Sequence, residues 1–238
     1  MSLNGFSLLG CTALAGCLSV ESSSIATQGM RADLAVEADG NGQSLASAEL
    51  TVAGDLSNVY VDLEGGDQLV ASEGQVSRVM TRQNDVIGRV WYEAVLPTDA
   101  EGTEFHIALE RPPDAGVSAP DSVAVMPAGF DITAPAPGTS HSRGAALTVA
   151  WQPGRADSMA IEVTGFCIAP AVFAVPPDAT SYTIGASQLR ALDGQPPTSC
   201  DIDIVIVRSR AGSVDPAYGK GGSFEARQVR NVTVVSVP

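Results

Sequence analysis

Apolar and polar positions alternate with a period of two along much of the first half of the chain. Ala48, Leu50 and Val52 follow this pattern, as do Val59, Val61 and Leu63, then Val90, Tyr92 and Ala94, then Phe105, Ile107 and Leu109. Successive strand side chains point to opposite faces, so each set predicts a strand with one buried face. Apolar repeats of helical period are nearly absent. Turn residues separate the sets: Gly40-Asn41-Gly42, Gly54-Asp55, Gly65-Gly66-Asp67, Pro97-Thr98-Asp99 and Pro112-Pro113-Asp114. The spacing predicts about seven strands from Arg31 to Val125 and suits two antiparallel sheets packed face to face. Strand count alone does not separate that arrangement from an up-and-down barrel.

The pattern is interrupted by Pro127, Pro135, Pro137 and Gly138-Thr139-Ser140, which predicts a boundary between an N-terminal domain, 29–128, and a C-terminal one, 129–238. Within the second, Leu147-Thr148-Val149-Ala150-Trp151-Gln152-Pro153 resembles the second strand of a fibronectin type III domain. Thr180-Ser181-Tyr182-Thr183-Ile184 resembles the fifth, and Ile202 to Ala211 the sixth, in family order. The resemblance implies an all-β fold of two tandem immunoglobulin-like or fibronectin type III-like β-sandwich domains. It departs from the family near the entry to the sixth strand, where Cys200 stands close to the usual tyrosine, after the loop Gly194-Gln195-Pro196-Pro197. No Arg-Gly-Asp triplet occurs, so no integrin-type binding residue is implied. Ala186 to Leu192 reads as a short helix or helical turn.

At the N-terminus, Phe6, Leu8, Leu9, Ala13 and Leu14 form a broken apolar run that ends in Leu14-Ala15-Gly16-Cys17. That segment resembles the lipobox of bacterial lipoproteins, although no Lys or Arg precedes Arg31. The resemblance implies a signal peptide over 1–16, a diacylglycerol on Cys17, and the membrane as a partner through that anchor. The run is shorter than the roughly 20 apolar residues a transmembrane helix needs. Leu18 after Cys17, rather than Asp, is what sorting in a Gram-negative host sends to the outer membrane. Residues 17–28, rich in Ser and Thr without hydrophobic periodicity, read as a flexible tether.

On that reading Cys11 leaves with the signal and Cys17 is acylated, so Cys167 and Cys200 remain. An oxidising envelope permits one disulfide between them; the alternative is two buried free thiols. Parity puts Cys167 on one face with Met159, Ile161 and Val163, and Cys200 on one face with Ile202, Ile204 and Ile206. In a fibronectin-like topology the third and sixth strands are neighbours, which brings the two thiols together.

A net charge of -14 excludes phosphate-backbone binding, and nucleic acid is set aside as a partner. Asp39-Gly40-Asn41-Gly42 lacks the later acidic ligands of a calcium loop and reads as a hairpin turn. No CxxC, GxSxG, HExxH or P-loop motif occurs. His106 falls on a solvent-facing strand position and His141 in the loop Ser140-His141-Ser142, so neither a metal site nor a cofactor is predicted. Trp91 and Trp151 read as core. The segment Asp215 to Phe224 combines Tyr218, Lys220 and Phe224 with glycines. It reads either as a recognition loop or as a hairpin connection whose aromatics pack against the sandwich.

The expected function is therefore a non-enzymatic envelope lipoprotein acting as a structural or protein-interaction module. A glycan- or small-ligand-binding lipoprotein is the competing reading, and an envelope hydrolase the third. A deep pocket of convergent carboxylates marks the hydrolase, and an exposed aromatic strip the glycan binder.

Overall fold

The computed structural model describes residues 19–52, 59–192 and 198–238. The first part of the chain forms β1 (Ser19–Glu21), β2 (Met30–Ala38), β3 (Ser44–Val52), β4 (Tyr60–Asp62), β5 (Gln68–Glu73), β6 (Val76–Val79), β7 (Thr81–Asn84), β8 (Val90–Leu96), β9 (Glu104–Glu110) and β10 (Ala119–Val125). The second part forms β11 (Ile132–Ala134), β12 (Ser140–Ser142), β13 (Leu147–Trp151), β14 (Ser158–Gly165), β15 (Ala171–Val175), β16 (Ser181–Ile184), β17 (Cys200–Ala211) and β18 (Gly222–Val237). The architecture is all-β, and its sheets remain open rather than closing into a barrel. Period-two alternation survives into the structure: Leu50, Val61, Tyr92, Phe105, Ile107 and Leu109 all point inward.

Two cores result. In the first, the sheet β10-β9-β5-β6 packs against β1-β4-β3-β2-β18, with β8 and β7 continuing from β3. In the second, β11-β13-β16 packs against β15-β14-β17-β18, with the short β12 lying parallel to β18. This is the fibronectin-like arrangement, with the third and sixth strands of that domain, β14 and β17, paired side by side.

The expected division at 128/129 needs one correction. β18 serves both cores: Phe224 and Ala226 belong to the first, Val232 and Val234 to the second. Its N-terminal half pairs in parallel with β2, Gly222 beside Ala32 and Gln228 beside Ala38, while Glu225 to Ser236 pair antiparallel with β17. At about 3.3 Å per residue, the 16-residue strand reaches roughly 50 Å. The chain thus returns to its first sandwich at the end, and no single cut separates the cores.

Where β17 and β18 pass from one core to the other, their inward positions turn polar. Arg208 faces Gln228 across the ladder and Ile206 faces Arg230. Arg208 is fully buried. Its Nη1 donates to Ala128 O at 2.9 Å and its Nη2 to Gln152 O at 2.9 Å, and the guanidinium lies 4.5 Å from the Phe130 ring centre. Arg230 approaches the same ring at 5.4 Å and donates to Ala38 O at 3.1 Å; the Gln228 amide donates to Asp99 O at 2.8 Å. Gly154 leaves room for this cluster, since a Cβ there would lie 2.2 Å from Arg208 Nη1. Burial, reinforced by the charge on Arg230 and opposed by Glu101, lowers the Arg208 pKa from its ordinary value. The guanidinium nevertheless stays charged, because its carbonyl partners stand in for water.

A second correction concerns the tether. Residues 19–28 are docked: β1 pairs in parallel with β4, and Ser22 and Thr27 are buried. The cause is Arg111, whose Nη1 donates to Ile25 O at 2.9 Å and whose Nη2 donates to Ser22 O at 2.8 Å. Asp67 balances the charge in an ion pair of 2.9 Å with both side chains fully buried. A buried guanidinium needs carbonyl acceptors, and this Ser-rich segment supplies them. Residues 186–192 form a turn rather than a helix, with Ser187 at φ 63° and Leu189 buried.

Replacing Arg208 by Met leaves the buried carbonyl of Ala128 and the part-buried carbonyl of Gln152 without this donor. Arg208→Met is expected to cost about 2–4 kcal/mol in urea unfolding, while Arg190→Met at an exposed position stays within about 0.5 kcal/mol. Equal midpoints for the two variants would remove the junction role.

Candidate functional site

Cys17, with the lipobox and the predicted signal peptide, lies outside the described residues, as do Gly54-Asp55 and Gly194 to Pro197. The described chain opens with Ser19 beside Tyr60 at the end of the first sandwich away from the junction. That end also carries the 3-10 turns Ser22–Ser24 and Thr27–Gly29, the segment around Val117, and the approach to β18.

Cys167, just past β14, and Cys200, opening β17, form a disulfide with a Cα–Cα distance of 5.9 Å. Both sulfurs face the second core, as parity predicts. Arg143 backs the bridge, donating from Nη1 to Ser236 Oγ at 3.0 Å and from Nη2 to Thr198 O at 3.1 Å.

The recognition reading of Tyr218, Lys220 and Phe224 is corrected. Tyr218 and Phe224 are each 2% exposed and belong to the first core; only Lys220 reaches solvent. The loop is held by Asp215, whose Oδ1 accepts from the Ala217 amide at 2.7 Å and whose Oδ2 accepts from the Asp121 amide at 2.7 Å. Its aromatics turn inward because the loop feeds β18 back into the first sandwich.

The histidines stay apart. His106 is at the surface with Nε2 2.9 Å from Glu104, as its alternation predicts. His141 lies in β12 rather than in a loop, its Nε2 3.2 Å from Ala145 O. Asp39 to Gly42 forms the hairpin turn between β2 and β3, with Gly40 and Gly42 at φ 91° and 84°. Among the described residues no three His, Cys, Asp or Glu side chains gather as metal ligands, and no helix is long and apolar enough to cross a membrane.

Trp151 is core, but Trp91 is not. It stands half-buried on the outer face of the first sandwich, beside a groove of about 250 Å³ lined by Asp33, Glu49, Arg89, Ser223 and Arg227. The β8 alternation shows why, since Val90, Tyr92 and Ala94 take the inward positions. Arg89 lies 5.3 Å from the indole ring, and the indole N–H donates to Glu93 at 2.8 Å. Arg89 also pairs with Glu49, Arg31 with Asp33, and Arg227 with Glu225. The ring and its neighbours are satisfied within the sheet, and the charges close on one another rather than converging on a ligand. A larger cleft of about 450 Å³ at the junction-distal end is lined by Ala26, Thr27, Gly116, Val117, Pro216 and Ala217, without a carboxylate.

No protein-family model matches the chain, and no curated protein matches it. Among solved structures it is similar to the FN1-FN3 domains of chicken CNTN1, at 10% identity over 88% of this chain and 64% of that one, with a TM-score of 0.23. It is also similar to a two-domain fibronectin type III segment of chicken tenascin, at 15% identity over 87% of this chain and 98% of that one, TM-score 0.26. A third is a structure of the fibronectin(III)-like modules of Clostridium thermocellum CbhA, at 13% identity over 87% and 90% of the two chains, TM-score 0.23. The chain thus spans 64% of the length of the first. At such identities and scores the likeness carries no functional inference, and the fold class stands on the strand pairing.

Closing 33 residues by the disulfide contributes about 3–4 kcal/mol in the chain-entropy picture. Reduction is expected to lower the urea midpoint accordingly, and non-reducing peptide mapping to join Cys167 to Cys200.

Buried phenols set an alkaline limit. Burial pushes the Tyr92 pKa up to about 12 although its oxygen accepts from the Leu63 amide; burial, then Asp215, pushes Tyr218 up as well. A raised pKa means the protonated phenol is favoured by folding. That stability is complete below the unfolded value of 10.0 and is lost as pH rises toward about 12. The urea midpoint is expected to fall across that interval, and less steeply for Tyr92→Phe.

Proposed function

We propose that this chain is a non-enzymatic lipoprotein of the cell envelope, held in the outer membrane through Cys17, that serves as a structural or protein-interaction module. The observation that carries this reading is the β17–β18 ribbon, which runs unbroken through both cores. A continuous ladder with a buried, hydrogen-bonded junction holds two sandwiches in one relative orientation, which suits a spacer or a presenting scaffold. Fibronectin-like sandwiches expose sheet faces and loops rather than a shaped catalytic cleft, and the ion-paired surface around Trp91 fits that use. The lipobox resemblance supports the address. With β1 starting at Ser19, an anchor on Cys17 seats the first sandwich directly on the membrane, and the second projects away from it.

Mass spectrometry of membrane-expressed protein is expected to show a diacylated fragment beginning at Cys17, and Cys17→Ala to abolish that fragment. An uncleaved, unmodified terminus in the membrane fraction rules the anchor out.

A further inference from the structure

The β7–β8 hairpin ends in the loop Asp85-Val86-Ile87-Gly88, and its tip is apolar and open to solvent. Val86 is 103% exposed and Ile87 71%. Single exposed hydrophobes are ordinary on a protein surface; two adjacent bulky ones on a rigid projection are not. The loop is firmly built. Asp85 Oδ1 accepts from the amides of Ile87 at 3.0 Å and Arg89 at 2.9 Å, the Gly88 amide donates to Asp85 O at 3.2 Å, and Gly88 takes φ 87°. The turn residue Asp85 spends its carboxylate on the backbone, and both branched side chains are left pointing outward.

Register gives the tip its place. β8 runs antiparallel to β3 with Ala48 beside Tyr92, so the hairpin points toward the Val52 end of β3. Val52 pairs with Met30, Thr51 with Tyr60, and Tyr60 with Ser19. The apolar tip therefore projects from the end of the sandwich at which the described chain begins, two residues after Cys17. The junction, with Ala38 and Gln228, lies at the other end. Val117, 70% exposed, and the cleft lined by Ala26, Pro216 and Ala217 share the tip's end. The arginines nearest the tip are neutralised: Arg82 pairs with Asp62 at 2.7 Å, and Arg89 with Glu49.

We infer that the Val86-Ile87 tip is a bilayer-contacting wedge, inserting among lipid acyl chains beside the anchor. The geometry rests on the reading of Cys17 as the anchored residue. A lone diacyl anchor leaves a body free to swivel, and a second, apolar contact on the same end fixes its tilt. Paired charges around the tip favour a neutral lipid surface over an anionic one for so acidic a chain.

The test uses the full chain carrying Cys17→Ala, so that no acyl group contributes, in flotation with phosphatidylcholine vesicles. The chain is expected to float, and the double variant Val86→Asp, Ile87→Asp to lower partitioning on the order of tenfold or more, with an unchanged circular dichroism spectrum. Val86→Leu, Ile87→Leu is expected to keep partitioning. An Ile87→Trp variant is expected to show quenching by brominated lipid, a readout independent of the Asp variants. Failure of the parent to float, equal flotation of the Asp variant, or an unquenched Trp at position 87 overturns the inference. Docking of the tip on a protein instead appears as the first of these. Vesicle binding with an unacylated Cys17 in native membranes rejects the anchor alone; acylation without vesicle binding rejects the wedge alone.

Discussion

Everything in this molecule depends on one ladder, the antiparallel pairing of β17 with β18. Its rungs run from Cys200 opposite Ser236 to Ala211 opposite Glu225, and both hydrophobic cores are laid against it. A two-domain protein joined by a linker has independent sandwiches whose angle is set by a small, polar contact. Here the joint is a stretch of sheet, and bending it requires breaking ladder hydrogen bonds. At the joint the inward positions of the ribbon turn polar: Arg208, Gln228 and Arg230 reach the carbonyls of Ala128, Asp99 and Ala38 around the boundary.

Arginine is the residue that makes such a joint practical. A planar, delocalised guanidinium is weakly hydrated for a cation, stacks on Phe130, and presents donors in several directions at once. Arg111 repeats the device at the opposite end of the first sandwich, where it gathers the carbonyls of Ser22 and Ile25 and takes Asp67 as counter-ion. The first sandwich is thus closed at both ends by a buried cation. In a chain this acidic, with 27 Asp and Glu against 13 Lys and Arg, arginines spent in the interior are a structural commitment.

Much of the strand pattern was legible in the sequence, because half-buried strands announce themselves by alternation. The inward sets on β3, β8 and β9 were read correctly, and so was the common core of Cys167 and Cys200. Trp91 was misread because size and aromaticity outweighed its parity, although Val90 and Tyr92 on either side already claimed the inward face. For Tyr218 and Phe224 the sequence leaves a recognition loop and an inward-packed connection both open, and the second holds, because the strand after the loop pairs with a distant partner in the first core. The docking of residues 19–28 was invisible, since it depends on Arg111 arriving from more than 80 positions away. The double role of β18 does leave a trace in the sequence. In β18 the even positions read Phe224, Ala226, Gln228, Arg230, Val232, Val234: an apolar face with a polar gap, the signature of a strand that leaves one core and enters another.

The parallel pairing of β18 with β2 also dictates an order of assembly. Phe224 sits beside Leu34, 190 positions apart, and both belong to the first core. A chain that emerges from its N-terminus cannot complete that core until nearly all of it has emerged. The sandwich made first is finished last, and contacts so distant in sequence carry a large loop-closure entropy before they return any stability. The leading half therefore stays short of its native core until the last strand arrives, and its strand β2 keeps an unpaired edge for that whole interval.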